Sequence, residues 1–268
     1  MELKDILSKI KNNEMEPEVA EGHIRSMGYV PVSDIAKVDI FRRHRTGIME
    51  AILAEGKDPE DVVEIAKVQV AATGRVLITR LGIKHMESLE SSFHPGNIEW
   101  SMHRTAAVVH DGTPSPKTGG LVAIITAGTA DIDVAEEARM VAHEMGCETI
   151  AIYDVGVAGF HRLVGEMIKL QDRKPDAIVV AAGRGGTLPT VGRREGTLPT
   201  VVSGLVDVPV IGVPVSTGYG AGAKGEAALL SMLQSCSVLS VVNIDAGFVA
   251  GSFAARIANT VAKARSRD

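Results

Sequence analysis

Cysteine is nearly absent from this chain. Cys147 and Cys236 are the only two in 268 residues. Two cysteines cannot build a disulfide framework, and no C-x-x-C spacing offers a zinc site. A reducing compartment is the default for such a sequence, so the expected location is cytoplasmic. Aromatic residues are equally scarce, at 3%, which argues against stacking platforms for nucleic-acid bases. There is no basic excess: 28 Lys and Arg stand against 33 Asp and Glu, for a net charge of −5. The electrostatic footprint of a nucleic-acid binder is therefore missing, and no nucleic-acid partner is expected. No run approaches the ~18 apolar residues of a membrane span. The opening Met1-Glu2-Leu3-Lys4-Asp5 reads as a charged helix start, without the apolar stretch of a signal peptide. What is present is an ordinary globular balance of 45% hydrophobic and 23% charged residues. Glycine is enriched, at 28 of 268 residues, against a usual share of about 7%. A glycine-rich, aromatic-poor chain of this kind suggests an α/β protein with tight turns around a small-molecule site.

The composition shifts near residue 113. Thr113-Pro114-Ser115-Pro116-Lys117-Thr118-Gly119-Gly120 reads as a linker. It divides a small, mostly helical domain, residues 1–112, from a larger one, residues 121–268. In the first domain Asp58 and Pro59 form a helix start, as cap and first helical residue, with a helix expected over 58–72. Val76-Leu77-Ile78-Thr79 is a short strand candidate. In the second domain Leu121–Thr126 is a continuous apolar run feeding a helix. Val134, Ala138, Val141 and Met145 make one face of that helix. Strands are expected at Thr149–Tyr153, Ala177–Ala182, Pro209–Val213 and Val238–Ile244. Helices are expected near 157–171, 221–235 and 246–264. Five buried runs separated by helices predict a doubly wound parallel sheet covered on both faces. Ligands in such sheets sit beyond the carboxyl ends of the strands.

The segments after those strands hold the candidate residues. Gly128-Thr129-Ala130-Asp131 offers backbone N–H groups at a helix start, able to hold a phosphate or carboxylate; the commoner reading of Thr129 or Asp131 is a plain cap. His161-Arg162, near the start of the next helix, supplies an imidazole and an anion clamp, or a surface helix face. Gly183-Arg184-Gly185-Gly186 is a glycine-rich loop. Ser216-Thr217-Gly218-Tyr219-Gly220 suits a phosphate or ribose, or is a flexible turn. Asn243-Ile244-Asp245 closes the last strand. Cys236 sits among Ser and Gln, a setting that fits a partly exposed thiol at the loop edge of the sheet. Cys147 reads as packing. The eight histidines show no metal spacing.

These segments resemble a known family. Gly128-Thr129-Ala130-Asp131, His161-Arg162, a Leu-Pro after the third strand and Pro209-Val-Ile-Gly-Val-Pro214 are similar to the aminoimidazole ribonucleotide carboxylases, the PurE superfamily. Tyr153-Asp-Val-Gly-Val-Ala-Gly159, Glu195-Gly-Thr-Leu-Pro-Thr-Val201, Ser216-Thr-Gly-Tyr-Gly220, Ser235-Cys236 and Val241-Val-Asn-Ile-Asp-Ala-Gly-Phe248 resemble the LarB branch. The N-terminal Asp39-Ile-Phe-Arg-Arg-His-Arg45 with Glu50 and Lys57 resembles its leader domain, which the purine enzymes lack. The resemblance implies a flavodoxin-like catalytic domain. It implies carboxylation of the pyridinium ring of nicotinic acid adenine dinucleotide by carbon dioxide (or bicarbonate) and phosphoanhydride cleavage to AMP. The other product, pyridinium-3,5-biscarboxylic acid mononucleotide, feeds nickel-pincer cofactor synthesis. It further implies Cys236 as nucleophile, Glu195 as acid/base and Asp131 and His161 in the site. Gly128, Thr129, Arg162, Ser216, Gly218, Tyr219, Gly220, Asn243 and Asp245 would hold the nucleotide. A magnesium ion would assist hydrolysis, and the superfamily implies a homo-octamer with sites between subunits.

The chain departs from that pattern in one place. Gly-Thr-Leu-Pro-Thr-Val occurs at 186–191 and again at 196–201, a local duplication of ten residues. It brings Arg184, Arg193 and Arg194 close together. The first copy carries Gly185 where the family has Glu; the second carries Glu195, and is expected to be the functional one. Two other readings stay open: a true aminoimidazole ribonucleotide carboxylase, and a nucleotide binder without turnover.

Overall fold

The computed structural model describes residues 3–26, 28–183, 197–217 and 224–267. The chain divides into two compact units, one of residues 1–98 with 109–113, the other of 99–108 with 114–268.

The N-terminal elements, in chain order, are α1 (Leu3–Lys11), α2 (Pro17–Ser26), β1 (Val30–Val32), β2 (Ala36–Val38), α3 (Arg42–Thr46) and β3 (Ala51–Leu53). They continue with α4 (Pro59–Thr73), β4 (Arg75–Thr79), α5 (Ile83–Ser92), β5 (Ile98–Trp100) and β6 (Ala106–His110). Strands β1 and β2 pair antiparallel, and the rest form a sheet in the order β3-β4-β6-β5. This stretch carries more strand than its sequence pattern reveals, because three-residue strands are too short to show a period. Helix α4 begins where expected: the Asp58 carboxylate accepts the Glu60 N–H at 2.9 Å, with Pro59 next in line. It ends at Gly74, whose φ of 81° is left-handed and whose N–H reaches the Val70 carbonyl.

The larger unit alternates strand and helix: β7 (Leu121–Thr126), α6 (Ile132–Glu144), β8 (Glu148–Ile152), α7 (Phe160–Arg173), β9 (Ala177–Ala182) and α8 (Thr197–Ser203). It continues with β10 (Val210–Pro214), α9 (Glu226–Leu233), β11 (Ser240–Val241) and α10 (Gly247–Arg265). All five strands run parallel in the order β11-β10-β9-β7-β8, the flavodoxin-like arrangement. The order reverses between β7 and β9, which makes the crevice beyond their carboxyl ends the expected ligand position.

Alternation divides the sheet between two helical layers. Ala123, Ile125, Ile178, Val180 and Ala182 pack against Leu163, Met167 and Leu170 of α7, Leu198 and Val202 of α8 and Met232 of α9. The opposite face meets α6 and α10. Each fully buried Val or Ile contributes roughly 1.5–3 kcal/mol, so these central strands carry much of the unit's stability. Helices α6 and α10 approach closely because Gly247 and Gly251 lack side chains. A Cβ on Gly251 would lie 2.3 Å from the Ala138 carbonyl oxygen, and one on Gly247 2.3 Å from that of Val134.

The last strand is shorter than the apolar run Val238–Ile244 predicts. As an edge strand it has one neighbour, and only Ser240 and Val241 pair with β10. Val238, 93% exposed, lies before the pairing begins.

Candidate active site

The carboxyl edge of the parallel sheet is built around Asp131. Its carboxylate is buried, with 3% of the residue exposed. One oxygen, Oδ2, accepts the Gly128 N–H at 2.9 Å and closes the turn that opens α6. The other, Oδ1, accepts the Gly183 N–H at 3.0 Å and the Thr217 hydroxyl at 3.3 Å. Asp131 thus closes the 3-10 turn before α6 and also acts as a clasp, joining the loops that follow β7, β9 and β10. Burial pushes its carboxyl above the ordinary carboxylate range; the bonds from Gly128, Gly183 and Thr217 pull the other way, and Asp245 adds to the rise.

Gly183 fits this clasp because it has no side chain. A Cβ there would lie 2.7 Å from the Thr217 carbonyl oxygen, 3.0 Å from that of Val215 and 3.1 Å from Asp131 Oδ1. A second carboxylate secures the next loop. Asp245, in the left-handed region at φ 55°, accepts the Ser216 N–H at 2.8 Å, and its own N–H donates to the Pro214 carbonyl. Exposed Asn243 accepts the Ile244 N–H at 2.9 Å, turning the chain out of β11. The loop after β8 packs onto the first loop: the Thr126 hydroxyl accepts the Asp154 N–H at 3.0 Å, and a Cβ on Gly156 would meet the Ala127 oxygen at 2.6 Å.

The structure therefore brings Gly128, Thr129, Asp131, Ser216, Asn243 and Asp245 to one edge. His161 and Arg162, in the first turn of α7, stand exposed at the same edge. Arg162 Nη1 binds Asp154 at 2.5 Å, with both side chains about half exposed. Such a pair contributes only about 0–1 kcal/mol, so the guanidinium can exchange Asp154 for a phosphate at little cost. Sequence reasoning under-rated Gly183 and Thr217. Their signal was position: each follows a buried parallel strand.

Cys236 is not where the sequence placed it. The thiol is exposed, as expected, but it does not share an edge with Asp131 and His161 in its own chain. It lies between the end of α9 and the start of β11, and in a parallel sheet every helix-to-strand connection falls at the amino edge. Its neighbours confirm the position. The Ser203 hydroxyl, at the end of α8, donates to the Val238 carbonyl at 2.6 Å, and the Ser237 hydroxyl donates to Ser203 at 3.0 Å. Cys147 is buried against Asn259 on α10, and burial pushes its thiol up to about 11. Glu195, Gly218, Tyr219, Gly220 and the arginines of the duplicated loop lie outside the described residues.

Among the described residues, no group of three His, Cys, Asp or Glu could hold a metal ion. Asp131 and Asp245 both accept backbone N–H bonds, and neither stands in such a group. No described helix is long and apolar enough to cross a membrane.

A family model described as AIR carboxylase matches residues 121–267, and one described as LarB/PurE-like N-terminal domain matches residues 30–110. The chain belongs to the LarB family, within the PurE superfamily. An uncharacterized protein of Methanocaldococcus jannaschii is 37% identical over 267 residues, covering 97% of this chain and 98% of its own. Together the two LarB and AIR carboxylase matches support a carboxylase-family function, with a nucleotide as a fitting substrate.

Proposed function

We propose that this chain carboxylates the pyridinium ring of nicotinic acid adenine dinucleotide and cleaves its phosphoanhydride, releasing AMP and pyridinium-3,5-biscarboxylic acid mononucleotide. The observation that carries the reading is the Asp131 clasp at the strand-order reversal, in a chain that also matches the LarB N-terminal domain. The first loop leads into the amino end of α6, where the helix dipole favours an anion. Arg162 and the Ser216 loop flank it.

A pyridinium ring is electron-poor and does not attack carbon dioxide unaided. The thiolate of Cys236 adds to the ring and makes a dihydropyridine, whose enamine carbon is nucleophilic. That carbon forms a bond to carbon dioxide. The ring then loses its proton to a base, a role that falls to Glu195, and expels the thiolate, which restores aromaticity. Water cleaves the phosphoanhydride. Cys236 and Asp131 occupy opposite edges of one sheet, so the thiol that serves one nucleotide belongs to a second copy of the chain. The assembly of this reading is a homo-octamer with its sites between subunits.

The purine-type carboxylation is the second reading. The N-terminal match and the exposed thiol favour the first. Incubation with nicotinic acid adenine dinucleotide and bicarbonate should yield AMP and a bis-carboxylated mononucleotide by mass analysis. Carboxylation of aminoimidazole ribonucleotide instead would replace the proposal. Cys236→Ala should abolish ring carboxylation. Co-expressed with Asp131→Ala chains, it should recover part of the activity, because some sites then combine two intact halves. Mixtures as inactive as either variant alone would refute the shared site.

A further inference from the structure

Residues 99–108 lie outside the AIR carboxylase match, yet they belong to the same compact unit. Between β5 and β6 they form a tight turn. The Ser101 N–H donates to the Ala106 carbonyl at 2.9 Å, the Arg104 N–H to the Ser101 carbonyl at 3.0 Å, and the Ser101 hydroxyl accepts the Ala106 N–H at 3.0 Å. Two further bonds fasten this turn to α6. The Met102 N–H donates to Glu136 Oε2 at 3.0 Å, and His103 Nδ1 lies 2.7 Å from Asp133 Oδ1.

Glu136 makes the attachment specific. It is 4% exposed, and it also binds the Arg139 guanidinium and the Tyr153 hydroxyl. Tyr153 directly follows β8, at the carboxyl edge. Asp133 is two residues beyond Asp131, in the first turn of α6. The turn thus runs along α6 toward its start and ends beside the first nucleotide loop. At its tip the Arg104 guanidinium lies 4.2 Å over the Trp100 ring. Arg104 is left-handed, at φ 62°, a conformation that glycine adopts with less strain. A strained arginine stacked on an indole, clamped next to a nucleotide loop, is a surface suited to a purine base.

We propose that this turn is the second half of the nucleotide site. It takes the adenosine monophosphate end of a dinucleotide, with the base stacked on the Trp100–Arg104 pair and the phosphate next to His103. His103 meets the start of α6, where the first nucleotide loop ends, so the Trp100–Arg104 pair offers a second base a stacking surface beside that loop. The inference rests on the dinucleotide reading above.

Trp100 is the chain's single tryptophan, so selectively excited tryptophan emission reports on this turn alone. Titrating the full-length protein with nicotinic acid adenine dinucleotide, or with AMP, should change the emission saturably; nicotinic acid mononucleotide should leave it unchanged. Arg104→Gly removes the guanidinium and accepts the positive φ, so the fold is retained. By calorimetry it should weaken dinucleotide and AMP binding about tenfold and leave mononucleotide binding alone. In carboxylation it should raise KM with kcat little changed. Normal carboxylation of the dinucleotide without any fluorescence response overturns the inference. So does an Arg104→Gly chain that weakens both ligands equally. If no carboxylation is found, the catalytic reading fails by itself, and the AMP titration still decides the role of the turn.

Discussion

Gly183→Ala is the most direct test of the loop clasp. The new Cβ would sit 2.7 Å from the Thr217 oxygen, 3.0 Å from the Val215 oxygen and 3.1 Å from Asp131 Oδ1. Two of these atoms are backbone carbonyls, which cannot swing away as a side-chain tip would. The loop after β10 must retreat by a few tenths of an ångström, or the Gly183 N–H must leave Asp131. Forced overpacking costs ~1–3 kcal/mol. A weakened hydrogen bond to a carboxylate costs up to ~1.5–3 kcal/mol more. Against that, replacing glycine restricts the unfolded chain and returns ~0.4–1 kcal/mol. Steric strain wins, and the expected net loss is about 2 kcal/mol. In a unit of this size that lowers Tm by roughly 4–8 °C, measurable by calorimetry on the full chain. Nucleotide affinity should fall with it, since the same loops bind the ligand. A variant with unchanged Tm and unchanged nucleotide affinity would show that the three loops are not coupled through Gly183.

Three further outcomes follow from the same geometry. Iodoacetamide at about pH 8 should modify Cys236 and spare Cys147, whose buried thiol stays protonated there; equal labelling in peptide maps would contradict the packing of Cys147. Burial pushes Glu136 up, but bonds from Arg139 and Tyr153, the Arg139 charge and the Met102 amide together hold it below its ordinary 4.5. Its stabilising share is therefore complete above pH 4.5 and is lost as pH falls through the lowered folded value. Trp100 emission should record that loss on acidification, and an identical acid transition in Glu136→Gln would rule it out. Finally, Gly251→Ala and Gly165→Ala should act in opposite directions. The first drives a Cβ into the Ala138 carbonyl at 2.3 Å, whereas the second meets nothing within 4 Å on α7. The expected shifts in thermal stability are a loss of ~1–3 kcal/mol and a gain of ~0.5–1 kcal/mol; shifts of the same sign would refute the α6–α10 contact.

The sequence by itself determined the parts whose physics is local. Asp58-Pro59 marks the start of α4 because a capping carboxylate and a fixed φ act within a few residues. The apolar runs at Leu121–Thr126 and Ala177–Ala182 mark β7 and β9 because strands buried on both faces have no polar alternation. The alternation of strand and helix then determines a parallel sheet, and with it the edge where Gly128, Asp131, Ser216 and Asp245 gather. Where sequence reasoning stopped is where distant residues meet. That one oxygen of Asp131 serves both Gly183 and Thr217 depends on strand order, which spacing along the chain does not encode. The same order sends Cys236 to the opposite edge: its polar neighbours predict exposure correctly, but exposure has no direction until the strands are paired. Residues 101–104 look like an ordinary turn in a polar domain. Only the tertiary fold lays them along α6, because the partner that holds them, Glu136, is buried in another element 34 residues away.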